Sequence, residues 1–545
     1  MKGRIGRLVV LTCGIGAVAA AACSGVTEPS EALGAPSFVD ETALAGVDHV
    51  YDGGSRYFEG GGVAAFDCNG DELPELYFAG GENLAALYVN RSAVGGELAF
   101  EQVASAELEL DSVAGAYPID IDSDGVTDLA VLRLGENVLF RGMGDCAFER
   151  ANETWGFDGG DEWTVGFSAT WEEGSDRPTL AFANYLKLTD LTNETDLCAE
   201  NVLIRAEDDR YDDPVPLAPG WCSLSVLFSD WDRDGTADLR VTNDRQYNRD
   251  GEELLWRISG EEPVAYTREE GWKLLRIWGM GIASHDVTGD GFPEVYLTSQ
   301  GDNRLQTLTD GPDQPTYTDI AIRRGVTAHR PYVGDDTLPS TAWHPEFQDV
   351  NNDGFIDLYV SKGNVDAMPT FTDSDPNNLL LGQPDGSFVE GGADAGIVHA
   401  GRTRGSTVVD LNLDGLLDLV EVNRVERVRV WRNIGSGTGD APEPMGNWTA
   451  VRLDMGGANR HGVGSWIEVR IGEHTMSTEA TIGGGHASGS SGWHHFGLGP
   501  SGAAEVRVIW SDGREGRWLS VAAGQRVTVV HGDPDELVVW DPSTP

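Results

Sequence analysis

The sequence predicts an all-β protein: a seven-bladed β-propeller closed by an N-terminal strand, followed by a small β-sandwich-like domain. Three observations carry this expectation. One acidic loop recurs along most of the chain, each recurrence sits among runs that make four short strands, and the strand missing from the last unit stands at the opposite end. The 71 glycines and 24 prolines, in no collagen-like period, fit many tight turns between short strands.

The loop reads DCNGDELPELYFA from Asp67, DIDSDGVTDLAVL from Asp120, DWDRDGTADLRVT from Asp230, DVTGDGFPEVYLT from Asp286, DVNNDGFIDLYVS from Asp349 and DLNLDGLLDLVEV from Asp410. Between the second and third lies WEEGSDRPTLAFA from Trp171, which keeps the frame and loses most of the acids. Successive starts are 53, 51, 59, 56, 63 and 61 residues apart. A period near that length marks stacked supersecondary units. Each unit has an apolar run before the loop (GVAAF, SVLF, TVV), an alternating strand after it (LYFAG, LYVSK), a third strand (NVLFR, NLLLG) and an F-x-E/D segment. Four strands per unit match a propeller blade.

Closure follows from the ends. The chain opens with FVDETALAGV at 38–47, an F-x-D segment with no loop before it, while the seventh unit stops at VRVWRNIGSG without its own. Supplying the last blade's outer strand from the first residues would leave few exposed sheet edges.

A D-x-[DN]-x-[DN]-G-x-x-D loop gathers side-chain oxygens from positions 1, 3, 5 and 9 and a backbone carbonyl from position 7, with Gly at position 6 for the sharp turn. Hard oxygens in that number suit Ca²⁺. The candidate ligands are Asp67, Asn69, Asp71, Leu73 and Glu75 in the first loop, and Asp120, Asp122, Asp124, Val126 and Asp128 in the second. The fourth unit offers Asp230, Asp232, Asp234, Thr236 and Asp238, and the fifth Asp286, Thr288, Asp290, Phe292 and Glu294. The sixth offers Asp349, Asn351, Asp353, Phe355 and Asp357, and the seventh Asp410, Asn412, Asp414, Leu416 and Asp418. The third unit, with Trp171, Glu173, Ser175 and Asp176, is expected to bind nothing. About six structural Ca²⁺ ions follow. The EF-hand rival needs an acid at position 12 between helices. Position 12 is Phe78, Val131, Val241, Leu297, Val360 or Glu421, in strand-like surroundings, so that reading fails.

These loops and their blades resemble the FG-GAP/VCBS repeats of integrin α-subunit propellers. WCSLSVLFSDWDRDG and WGMGIASHDVTGDG resemble bacterial relatives of cartilage acidic protein. The resemblance spans about residues 36–435, departing at the third unit and at Glu72, which stands where the loop has Gly. After the Gly/Pro-rich linker 436–446, residues 447–545 carry alternating runs (WTAVRLDM, WIEVRIG, EVRVIWSDG, QRVTVVHG) that read as strands of a small sandwich. NRHGVGSWIEVRIG, HHFGLG and VIWSDG resemble the ASPIC/UnbV domain, its N-R-x-x-x-G pattern matched by Asn459, Arg460 and Gly464. His494-His495-Phe496-Gly497 reads as a packed turn between strands rather than a functional patch.

Residues 1–22 read as a secretion signal, with Lys2, Arg4 and Arg7 ahead of an apolar core. Ala20-Ala21-Ala22-Cys23 resembles a lipobox, which implies cleavage and a lipid-modified Cys23 followed by a flexible stalk at 23–35. Ser24 after it favours a bacterial outer-membrane or cell-surface lipoprotein. The exported compartment permits disulfides among Cys68, Cys146, Cys198 and Cys222 in three connectivities, with Cys198 and Cys222 the first choice because one insertion holds both. No CxxC supports a zinc or redox motif.

With 38 basic and 89 acidic residues the formal charge is −51, which argues against nucleic acid and against an anionic membrane face. Membrane contact is expected only through the lipid. The function expected is a non-catalytic, calcium-stabilised binding or adhesion protein, with a glycan or a surface protein as ligand. The face opposite the loops offers Asn184, Tyr185, Asn243, Arg245, Gln300, Asp302, Asn303, Lys362, Asn364, Asn423 and Arg424 as ligand-face candidates. The alternative is a calcium-dependent polysaccharide lyase or dehydratase, with His285, His344 and Tyr185 as acid/base groups that no spacing ties together.

Overall fold

The structure is a computed structural model that describes residues 26–188, 197–260, 262–327, 341–365 and 375–541. The leader and Cys23 lie outside them. The chain is all-β apart from short helical turns such as Asn152–Trp155, Ala321–Arg324 and Gly392–Ala395, which follow the fourth strands of three sheets.

Among the described residues from 38 to 433, all strands but the hairpin Ala206–Glu207 and Arg210–Tyr211 form seven successive antiparallel sets of four, the third and fourth joined through Ile482–Gly483 into one nine-stranded sheet. The first set is Val63–Phe66, Glu75–Phe78, Ala86–Asn90 and Phe100–Val103, and the second begins with Val113–Ile119. The others begin with Trp163–Thr170, Ser223–Ser229, Gly279–His285, Ala342–Gln348 and Thr403–Val409. Each first strand packs against the first strands of the sets before and after it, and Thr403–Val409 packs against Val63–Phe66. These strands are buried on both faces, so Val113–Ile119 and Trp163–Thr170 are buried throughout and read as continuous rather than alternating runs. Fourth strands are short edges, and Phe148–Arg150, Tyr317–Asp319 and Phe388–Glu390 each bury only their aromatic residue.

The seventh set takes its outer strand from the start of the chain. Phe38–Asp40 runs antiparallel to Arg429–Asn433, with Phe38 opposite Asn433, Val39 opposite Arg432 and Asp40 opposite Trp431. The buried pair Arg432 Nε and Glu41 Oε1, 2.7 Å apart, secures that junction. Apolar clusters fill the spaces between neighbouring sets, and Phe38 joins the one shared by the sixth and seventh.

Disulfides join Cys198 to Cys222 and Cys68 to Cys146. The second ties the first acidic loop to an outer turn of the neighbouring set, where the Cys146 N–H also donates to the Cys68 carbonyl (3.0 Å).

Beyond residue 446 two four-stranded sheets face each other. One holds His494–Gly499, Asn447–Asp454, Gln525–Val530 and Glu536–Val539, the other His474–Glu479, Trp466–Ile471, Ala503–Ile509 and Leu519–Ala522. Val451, Ile467, Val469, Phe496, Val506, Val508 and Trp510 form the core between them. Asn447–Asp454 and Gln525–Val530 pair in parallel.

Two segments differ from expectation. Residues 28–34, expected as part of a flexible stalk, pack on the sixth loop. Pro29 is buried, Leu33 N–H donates to Asp353 (2.7 Å), and the Asn351 amide donates to the Gly34 carbonyl (3.2 Å). The loop's acids offer acceptors that this segment's backbone satisfies. The linker folds into a tight turn, with Ser436 N–H on the Glu443 carbonyl (2.9 Å) and Arg432 holding the Gly439 carbonyl (2.6 Å).

Candidate metal centres

Each acidic loop joins the first and second strands of its set, and its shape follows from a few side-chain-to-backbone bonds. The carboxylate at position 1 accepts the N–H of position 6: Asp120 from Gly125 (3.1 Å), Asp230 from Gly235 (3.2 Å), Asp286 from Gly291 (3.0 Å), Asp349 from Gly354 (2.7 Å) and Asp410 from Gly415 (2.8 Å). Those glycines have φ between 84° and 92°, the left-handed region that favours glycine. Glu72 takes the same conformation at φ 70° and still donates to Asp67 (2.9 Å). The carboxylate at position 5 accepts the N–H two residues on, as with Asp71 from Leu73 and Asp124 from Val126, both 2.9 Å.

Both oxygens of Asp67, Asp286, Asp349 and Asp410 accept loop N–H groups, whereas Asp120 and Asp230 each keep one oxygen out of these bonds. Carboxylate oxygens of Asp120, Asp122 and Asp124 lie within 4.8 Å of one another, as do those of Asp230, Asp232 and Asp234. Among the described residues, buried Asp120 Oδ1, Asp122 Oδ1 and Asp230 Oδ1 have no hydrogen-bond partner. Burial, reinforced by the neighbouring carboxylates, raises Asp120 to about 6 and Asp230 and Asp232 to about 7. The same causes hold Asp349 well above the usual carboxylate range, and in Asp414 they give about 7. Clustered carboxylate oxygens of this kind are the donor set of a hard divalent cation, and in the second loop Arg141 shares them, 2.7 Å from Asp122 and 2.8 Å from Asp124. The residues present fit Ca²⁺. In the other four loops Asn or Thr holds position 3, so fewer carboxylates gather there.

Position 9 has a second task that its motif does not announce. Asp128 accepts from Ile121 N–H and from Gly142 N–H on the third strand, both at 2.7 Å. Asp357 does the same with Val350 (2.9 Å) and Gly382 (2.8 Å), and Asp418 with Leu411 (3.0 Å) and Asn433 (2.8 Å). This acid latches the loop to the sheet, while Asp238 bonds instead to Trp231 Nε1 (2.8 Å) and the Tyr266 hydroxyl (2.6 Å). In the third set the loop is built around an ion pair: Arg205 Nε lies 2.6 Å from Glu172 Oε1, which also accepts from the Thr179 hydroxyl (2.5 Å).

The C-terminal domain sits on the face that carries these loops, an arrangement the sequence reading did not anticipate. Arg526 pairs with Asp410, and Arg452 Nη1 reaches Glu72 at 2.7 Å. His461 lies 3.8 Å from Asp120. Glu479 accepts the Asp230 N–H (2.8 Å), and His474 bonds to the Gly354 carbonyl (2.9 Å). His494 and His495 belong to a strand, not a turn, and His495 Nε2 lies 2.6 Å from Asn352 Oδ1. Burial lowers both histidines, to about 4 and about 3. A cavity of about 1170 Å³ remains between the two surfaces.

Most of the ligand-face candidates brace turns. Asn184 accepts from the Thr164 hydroxyl (2.7 Å), Tyr185 donates to Asp244 (2.8 Å) and Asn243 accepts from Ser223 (2.5 Å). Asn303 accepts the Ser299 N–H (2.9 Å), Lys362 pairs with Asp375 (2.6 Å), and Asn364 and Asn423 accept from Thr341 (2.5 Å) and Thr403 (2.8 Å). Arg424 holds the Gly53 carbonyl (2.5 Å) and Arg245 the Arg249 carbonyl (2.6 Å). Strand ends leave backbone groups that such side chains satisfy. Gln300 is half-buried and Asp302 exposed. Of the acid/base candidates, His285 and His344 line the cavity, and Tyr185 does not.

Residues 456–536 match the family described as "ASPIC and UnbV". A search of curated proteins found no match. Among solved structures, the chain is similar to an Agrocybe aegerita lectin whose structure concerns recognition of non-reducing terminal N-acetylglucosamine, at 15% identity, 69% of this chain, 92% of that one and a TM-score of 0.38. It is similar to BBS1N in complex with ARL6DN at 11% identity, 73% of this chain, 97% of that one and a TM-score of 0.38. AofleA from Arthrobotrys oligospora follows at 9% identity, 62% and 88% coverage and a TM-score of 0.33. Likeness at this level carries no assignment of ligand or activity.

Proposed function

We propose that the chain is a calcium-stabilised binding or adhesion protein whose seven sets of strands are the blades of a closed propeller. Displayed by a lipid on Cys23 at the bacterial cell surface, it would bind a glycan or a surface protein. One observation carries the reading: acidic loops recur at one place on six of the seven sets, and two of them hold clustered carboxylates with buried oxygens that make no hydrogen bond among the described residues. Six cations there would relieve the repulsion and fix six inter-strand turns, stabilising the folded state by mass action. The register of Phe38–Asp40 on Arg429–Asn433 supports closure.

Binding is favoured over catalysis because two of the three acid/base candidates are committed to structure. Tyr185 donates to Asp244, and His344 Nδ1 accepts the His486 N–H (3.0 Å). The mature chain on a glycan array, with calcium and with chelator, tests the reading. Calcium-dependent binding to a defined glycan class supports it. Absence of binding to every glycan sinks the carbohydrate version and leaves a protein ligand, to be sought by cross-linking on cells.

A further inference from the structure

Between the C-terminal strands His474–Glu479 and His494–Gly499 runs the glycine-rich segment TIGGGHASGSS, residues 481–491. It leaves its own domain and enters the space bounded by the seven first strands. Ile482–Gly483 pairs with two of them at once, Gly483 standing opposite Ser168 and opposite Leu227. Gly484 N–H donates to the Val226 carbonyl (2.9 Å) and Gly485 N–H to the Ile282 carbonyl (2.6 Å). His486 N–H donates to His344 Nδ1, and Gly489–Ser490 pairs in parallel with Ala64 and Ala65. The Ala116 N–H donates to the Ala487 carbonyl (3.2 Å). On the seventh set, Thr403–Val409 packs beside Gly489–Ser490.

The propeller side is shaped for it. Five residues before the loop start stand Gly62, Gly115, Gly281 and Gly405, which face the segment, and Gly166, which faces Ser225 and Leu224 of the next set, with Ser225 and His344 in the other two sets. A Cβ on Gly62 would lie 1.7 Å from the Ala487 carbonyl oxygen, on Gly115 2.3 Å from it, and on Gly405 2.2 Å from Ser488 Oγ. At the tip, His486 is fully buried against Trp343, with ring centroids 5.0 Å apart. Its Nε2 accepts the Gly60 N–H (3.2 Å), which leaves Nδ1 to donate to the Met280 carbonyl (3.4 Å). A loop that merely connected two strands would not find a matching partner on every set.

We infer that residues 481–491 are a built-in axial ligand: a plug that occupies the propeller's centre, ties its first strands together and makes ring and C-terminal domain one cooperative unit. The axis is then filled, so partners of the proposed binding function meet the outer surfaces or the cavity between ring and C-terminal domain. The inference rests on the reading of the seven sheets as a closed ring.

Hydrogen exchange by mass spectrometry on the full mature chain in calcium tests it without any variant. Peptides covering 481–491 should exchange roughly a thousand-fold or more slower than an unstructured glycine-rich chain, and in step with the first strands. Exchange at the unstructured rate, with Ser223–Ser229 and Gly279–His285 still protected, would overturn it. Gly115→Val places a side chain on the Ala487 carbonyl and should expose 481–491 to exchange and proteolysis first; unchanged protection there also counts against the plug. Peptides covering Phe38–Asp40 report on the ring itself. Rapid exchange there alone contradicts closure and spares the plug, so the two failures are distinguishable.

Discussion

Arg452 Nη1 of the C-terminal domain lies 2.7 Å from Oε2 and 3.0 Å from Oε1 of Glu72, the residue that replaces glycine in the first acidic loop. The departure from the loop pattern thus has a partner. Glu72 bears a left-handed backbone at φ 70°, which costs a non-glycine residue about 1 kcal/mol, and joins a half-buried ion pair.

The sign of two substitutions follows. Glu72→Ala keeps the backbone strain and loses the pair, so it should destabilise by about 1 kcal/mol. Glu72→Gly loses the pair and relieves the strain, so it should be close to neutral. Urea unfolding of both in calcium checks the order, and an alanine variant as stable as the glycine variant would contradict it.

Position 9 of the loops should separate latching from cation binding. Asp357→Asn replaces an acceptor from two backbone N–H groups by an amide with one oxygen, and should cost about 2 kcal/mol or more even in chelator. Asp234→Asn keeps the oxygen that accepts Thr236 N–H and should matter mainly in calcium. Unfolding of each variant with and without chelator measures the difference. Equal losses in both conditions for the two variants would remove the distinction.

Acid should loosen the plug. Burial lowers His486 to about 3, against an ordinary value of 6.5. The unfolded chain takes up a proton below pH 6.5 that the folded chain refuses until about pH 3. Stability is therefore intact above 6.5 and lost as pH falls, by about 1.4 kcal/mol per unit from this residue. His486→Gln should flatten that part of the profile between pH 6 and 4.5. Denaturant midpoints across the range give the slopes, and parallel profiles would contradict the assignment.

The repeating parts were legible because each is local. The loops, four strands per unit and the displaced F-x-D segment all lie within stretches that a period exposes. What stayed hidden depends on residues far apart in the chain. Nothing near Asp410 announces Arg526, and nothing in TIGGGHASGSS names its partners, although Gly62, Gly115, Gly281 and Gly405 at one offset from the loop start are a signal in plain view. The asparagines on the opposite face stay ambiguous in sequence because turn bracing and ligand binding draw on the same residue types. The acid at position 9 was read for one role because its backbone partner on the third strand, such as Gly142, belongs to no motif.

Calcium binding to the purified mature chain, counted by equilibrium dialysis alongside thermal unfolding with and without chelator, tests the central claim most directly. The account predicts about six ions per chain and an unfolding midpoint that drops by roughly 10 °C or more when they are removed, since six ions at about 2–3 kcal/mol each act against an unfolding entropy of about 1 kcal/mol per degree for a chain this long. A chain that binds no calcium at millimolar concentration, or unfolds at the same temperature in chelator, would contradict it.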